Sequence, residues 1–144
     1  MTLLATPAQP IQPLQDVTPD GYVAGACNIG PYEIRRRRRS AMVGYAIAAA
    51  VLVVLIAAGL PAWTRLLVLI PAWGASVTWL QARRRFCVGF AAAGITNFGD
   101  GDEGRQAITD PAQRAADRRK SLELIRDGFF MGLVITIVAV LLPV

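Results

Sequence analysis

Apolar positions along this chain gather into three blocks with arginine-rich polar segments between them, instead of marking one face of each element as a soluble core would. The first block, SAMVGYAIAAAVLVVLIAAGL, runs from Ser40 to Leu60 without a charged residue. At 1.5 Å per residue, about 20 residues of helix match the roughly 30 Å hydrocarbon core of a bilayer. PAWTR then makes a short turn, and LLVLIPAWGASVTWLQA, Leu66 to Ala82, leads back. The third block, GFFMGLVITIVAVLLPV from Gly128 to Val144, lies at the short end of the spanning range, with Leu122, Leu124 and Ile125 extending it inward and Arg126 at the headgroups.

This pattern predicts an all-α integral membrane protein with three transmembrane helices. Five segments follow: a flexible Pro-rich tail (1–24), a Cys- and Arg-rich juxtamembrane segment (25–39), a transmembrane helical hairpin (40–82), a connector containing a helix (83–127) and a third transmembrane helix (128–144). The tail carries Pro7, Pro10, Pro13 and Pro19 and lacks the charged and apolar regions of a secretory signal. AGAC, ending at Cys27, has no preceding hydrophobic stretch, so lipidation is not expected. Within the second block, Pro71 removes a backbone donor and predicts a helix kink. Trp63 and Trp79 lie roughly 24 Å apart along a helix and suit the two interfaces of an aromatic belt. Arg65 is expected to snorkel outward at the far end.

Charge sets the orientation. Arg35, Arg36, Arg37, Arg38 and Arg39 precede the first block, Arg83, Arg84 and Arg85 follow the second, and six further basic residues lie before the third. Only Arg65 falls on the other side. The positive-inside rule therefore places the N-terminus and the connector in the cytoplasm and the C-terminus outside. Gly30-Pro31 suits a helix start, with Glu33 near the positive end of the dipole and Glu33–Arg37 as an i, i+4 pair. Successive residues rotate by about 100°, so the five arginines encircle this helix as a collar for anionic lipid headgroups, each contributing on the order of 1 kcal/mol. Nucleic acid is not an expected partner of the net charge of +5, because no aromatic interleaving or binding module accompanies the run. Lys120 is the sole lysine among 15 basic residues, and alanine is abundant. That bias suggests GC-rich coding and a bacterial cytoplasmic (inner) membrane, crossed more than once.

Candidate chemistry is sparse. There is no histidine, so the usual catalytic triads and most zinc sites are missing, and no nucleophile and base can be paired. The apolar stretch Phe86–Gly94 is too short to span and is expected at the interface or beneath the hairpin. DGDEG, with Asp100, Asp102 and Glu103, departs from a calcium loop at Gly104, Arg105 and Pro111 and reads as a solvated turn. Asp110-Pro111 should cap a helix that continues into the third block. Cys27 and Cys87 share the cytoplasmic side at neighbouring helix ends, making a possible thiol pair, half of a metal site with Glu33, or two small packing residues.

The small residues Gly44/Ala48, Ala46/Ala50, Ala57/Ala58 and Ala72, Gly74, Ala75 favour close helix approach. The leading expectation is a non-catalytic inner-membrane protein that acts through helix packing, as an accessory subunit or scaffold, with another membrane protein or a second copy as partner. The alternatives are an oligomeric channel or solute pathway lined at Pro71, and a thiol-redox or metal-handling protein using Cys27 and Cys87. No catalytic residue and no cofactor is assigned from the sequence.

Overall fold

The computed structural model describes residues 21–143, and most of them are helical. Helix α1 is Pro31–Ala57; a 3-10 segment, Ala62–Val68, leads directly into α2, Leu69–Arg83; α3 is Val88–Ala93; and α4 is Pro111–Leu141. Between α3 and α4 lie two short strands, β1 (Ile95–Asn97) and β2 (Arg105–Ala107), paired antiparallel with Thr96 opposite Gln106. Helices α1 and α4 are each long and apolar enough to cross a membrane.

The helix ends follow from local chemistry. Pro31 opens α1 behind an extended Gly30, with Glu33 in the first turn, as expected. At the other end Gly59 takes the left-handed conformation (φ +64°), and the Leu60 amide donates to the Leu55 carbonyl at 3.2 Å. This left-handed glycine closes the helix and turns the chain. Asp110 caps α4 by accepting from the Ala112 amide at 2.9 Å. From there α4 runs 31 residues without a break, joining the connector helix to the third apolar block as the sequence predicts.

Helix α2 is the centre of the bundle, with α1 on one side and α4 on the other. Small residues set both contacts. A Cβ added to Gly44 would stand 2.9 Å from the Ala75 Cβ, and one added to Gly132 would stand 2.7 Å from the Trp73 Cα. Farther along, a Cβ on Gly128 would come within 2.9 Å of the Val77 Cα. Such approach lets backbone pack on backbone. Ala48, Leu55, Val68 and Ala72 form one buried cluster between α1 and α2. Leu80, Phe86, Ala91 and Leu124 form a second, which draws the Phe86–Gly94 stretch under the helices.

Several expectations change. The second apolar block is not one helix kinked in its middle: its first part winds as 3-10, and Pro71 sits in the first turn of α2, where a missing backbone donor matters least. At 15 residues α2 alone is short of the ~20 that span a bilayer. Arg65 does not snorkel. It is buried (4 % exposed), and its guanidinium donates to the carbonyls of Ala139 at 3.3 Å and Leu142 at 2.9 Å, neutralising the last turn of α4. The strand pair departs from a purely α-helical fold; Asn97 shapes its loop by donating to the Gly101 carbonyl at 2.7 Å and accepting from the Gly99 amide at 3.2 Å. Of the expected Pro-rich tail, residues 1–20 lie outside the described residues. Its last four do not behave as a tail, since Tyr22 is buried.

Replacing Gly132 by leucine should destabilise the fold by roughly 1–3 kcal/mol through overpacking against Trp73. Gly74→Ala, where an added Cβ meets nothing within 4 Å, should be neutral or slightly stabilising. Denaturant unfolding in detergent, followed by far-UV circular dichroism, distinguishes the two.

Candidate functional site

The basic end of the bundle is built by the first turns of α1, the last turn of α2 and the segment from α3 to the start of α4. Helical rotation distributes the five arginines of α1 as predicted: Arg35, Arg36, Arg38 and Arg39 are exposed, whereas Arg37 is partly buried. Beneath them Glu33 is 1 % exposed, with Arg36 Nη1 at 3.5 Å, Arg37 Nε at 3.8 Å and Asn97 Nδ2 donating at 3.5 Å. The expected Glu33–Arg37 pair is present, and Arg36 joins it. Each contact is long and Glu33 Oε2 accepts no hydrogen bond, so this carboxylate is held by two nearby positive charges and one amide donor and not by a bidentate pair.

Besides Arg36 at Glu33, two of the eight arginines expected as headgroup anchors are committed to the protein itself. Arg37 donates through Nη2 to the Cys87 sulfur at 2.8 Å and lies over the Phe90 ring at 5.8 Å. Arg84 makes a forked pair with Glu123 at 3.0 Å and Asp127 at 2.8 Å on α4, fastening the end of α2 to that helix. Arg83 and Arg85 point to solvent, and Arg85 takes a left-handed backbone (φ 54°). Its carbonyl accepts from the Asn28 amide at 3.1 Å. Arg38 lies over the half-buried Trp79 at 5.9 Å, while Trp63, at the opposite end of the same stretch, is exposed. With six residues of 3-10 rise and ten of α rise between them, the two positions are separated by roughly 27 Å of helical rise.

The cysteine-bearing segments do meet, through Asn28. Its side-chain oxygen accepts from the Cys87 amide at 2.6 Å and its side-chain nitrogen donates to the Cys87 carbonyl at 3.0 Å, so one buried amide closes both backbone groups of Cys87. The thiols themselves are free and have different partners. Cys27 donates weakly to the Ile29 carbonyl at 3.8 Å, and Cys87 accepts from the Phe90 amide at 3.4 Å as well as from Arg37. Among the described residues, no group of three His, Cys, Asp or Glu side chains is placed to hold a metal ion.

A second polar tie was not foreseen. Tyr22 donates its hydroxyl to Asp117 Oδ2 at 3.0 Å, and the Gly25 amide donates to Asp117 Oδ1 at 2.7 Å. Asp117 is fully buried on α4, so both carboxylate oxygens are satisfied by the segment before α1. Burial first, and the adjacent Asp117 charge second, push the Tyr22 phenol above its ordinary pKa. Nothing in the local sequence pairs residues 95 positions apart; the only available signal was a tyrosine in a segment otherwise lacking large side chains.

Comparisons with protein-family models, characterised proteins and solved structures find no match for this chain.

Tyr22→Phe should cost about 1.5–3 kcal/mol at neutral pH by leaving a buried carboxylate oxygen without its donor. Because the folded-state phenol titrates above its unfolded value, its stabilisation is complete below about pH 10 and is lost as pH rises further. The stability difference between wild type and Tyr22→Phe should therefore hold from neutral pH to about pH 9 and narrow above pH 10 in denaturant titrations at stepped pH.

Proposed function

We propose that this chain is a non-catalytic protein of a bacterial inner membrane that works by helix packing, as an accessory subunit or scaffold of a membrane complex. The observation that carries the reading is where its apolar side chains point. Only 11 % of the apolar window of α1 and 28 % of that of α4 is buried, whereas the core helix of a soluble protein is mostly buried. Val43, Ile47 and Val54 on α1, Leu67 and Ile70 in the second block, and Val134, Ile137 and Leu141 on α4 all face outward. Such a surface is stable against lipid tails or another apolar helix and costly against water.

The arrangement of the second block supports a third crossing. Seven residues of 3-10 helix and 15 of α-helix give a continuous rod of roughly 36 Å, long enough for the hydrocarbon core although α2 alone is not. Arg65 is compatible with that depth because its charge is spent on the carbonyl end of α4. The exposed arginines at the other end of the bundle favour a cytoplasmic N-terminus and connector, with the C-terminus outside. Anionic headgroups are the partners proposed for Arg35, Arg36, Arg39, Arg83 and Arg85.

Internal packing uses Gly44, Ala72, Ala75, Gly128 and Gly132, but it leaves Ala46, Ala49, Ala50 and Ala57 of α1 exposed. These small residues permit close approach by a further transmembrane helix, from a different membrane protein or a second copy. Extraction in mild detergent followed by native mass measurement with protein identification should give a defined complex; a monodisperse monomer without a partner would reject the packing role. Impermeant maleimide should label Thr109→Cys in inverted vesicles and Thr64→Cys in right-side-out vesicles. The reverse pattern would overturn the orientation.

A further inference from the structure

A cavity of about 850 Å³ lies between α3 and the first half of α4. It uses one face of each helix. Val88, Ala91 and Ala92 contribute from α3 at the i, i+3, i+4 spacing, and on α4 the lining runs from Pro111 to Ile125. The two ends differ in chemistry. Leu122 and Ile125 lie at the end nearest the apolar run that begins at Gly128, whereas Arg114, Arg118 and Arg119 line the part farther away.

Arg114, Arg118 and Arg119 are exposed and concentrate positive charge on one side of the cavity. No Asp or Glu lines the cavity. Unlike Arg37 and Arg84, these three cations have no ion-pair partner among the described residues. Arg114 and Arg118 are four apart on one helix face, a like-charge spacing that disfavours the helix, and Arg119 adds to the repulsion. The Arg114 guanidinium is packed directly on Gly94, the left-handed cap of α3. A bound anion would relieve this repulsion, and guanidinium forks match phosphate oxygens in geometry.

We infer that the cavity binds a membrane amphiphile whose headgroup carries a diphosphate, with the phosphates at Arg114, Arg118 and Arg119 and the hydrocarbon tail leaving past Leu122 and Ile125. Charge selects this class, since a diphosphate monoester offsets three cations better than the single charge of a phosphodiester. Ile125 is roughly 4.5 Å above Gly128 along the helix, within the headgroup layer, but Arg118 is roughly 15 Å and Arg114 roughly 21 Å above it. A single phosphodiester at the bilayer surface falls short of them. A tail drawn partly out of the bilayer along Leu122 and Ile125 carries the phosphates to them. The volume suits one such molecule, since ligand pockets commonly measure about 300–1,000 Å³.

The inference rests on the membrane reading above only for its depth argument, and the test separates the two. The full chain is purified, reconstituted into phosphatidylcholine nanodiscs, and its recovery there scored first, which reports on membrane insertion alone. Binding is then measured for farnesyl diphosphate (head and tail), inorganic pyrophosphate (head only) and farnesol (tail only). Farnesyl diphosphate should bind at least ten-fold more tightly than either fragment. Arg114→Ala with Arg118→Ala should weaken it ten-fold or more, and Ala92→Glu, which places an acid opposite the arginines, should do the same. Arg35→Ala with Arg36→Ala should leave it unchanged. Pyrophosphate binding as tightly as farnesyl diphosphate would mark a free-phosphate site, and equal binding of farnesol would mark an apolar groove; either result, or no binding by well-inserted protein, overturns the inference.

Discussion

Backbone-to-backbone contact along α2 is the constraint on which this fold depends. Trp73 and Val77 of α2 meet glycines of α4, and Ala75 meets Gly44 of α1, so the central helix is approached closely from two sides. In the membrane proposed for this chain, the hydrophobic effect gives little reason for helices to associate, and fit must supply the attraction instead. Once α2 is held at this spacing, Arg84 reaches Glu123 and Asp127 at one end and Arg65 reaches the last carbonyls of α4 at the other. The polar contacts at both ends thus share one register with the glycines between them.

At the basic end, three segments that would otherwise be loops are organised by side-chain amides and carboxylates. Asn28 closes the backbone of Cys87, Asn97 shapes the β1–β2 loop and reaches Glu33, and Asp117 gathers Tyr22 and Gly25. These groups are buried, so each hydrogen bond operates without competition from water and its loss would strand a partner. The result is a small polar-cored cap on an apolar bundle. It fastens the segment before α1 to the middle of the chain and to α4.

Features that obey local rules were legible in the sequence. Gly30-Pro31 and Asp110-Pro111 mark helix starts because capping involves neighbours two or three residues away, and Glu33–Arg37 follows from helical rotation. Features set by distant partners were not. The sequence shows a charge at Arg65 but not the carbonyls of Ala139 and Leu142 that it meets. The segments carrying Cys27 and Cys87 do meet, yet what joins them is Asn28 and not a sulfur contact. Gly128 and Gly132 have the four-residue spacing of a packing face, but so do alanines of α1, several of which face outward, and spacing alone does not tell them apart. Strands of three residues carry too little alternation to be read, and the 3-10 winding before Pro71 reflects packing around Arg65 and Val68 that no propensity encodes.

The unbroken course of α4 has a mechanical consequence. A helix of 31 residues is a rod of roughly 46 Å with no proline after its first residue, and its two glycines, Gly128 and Gly132, are clamped against α2. A tilt of about 5° about the glycine contacts, roughly 16 Å from its far end, would carry that end sideways by roughly 1.4 Å. Because Arg65 grips that far end, the displacement would pass to the turn between α1 and α2 instead of being absorbed. The two ends of the molecule are therefore geared together by a single stiff lever, with the glycine contacts as its fulcrum.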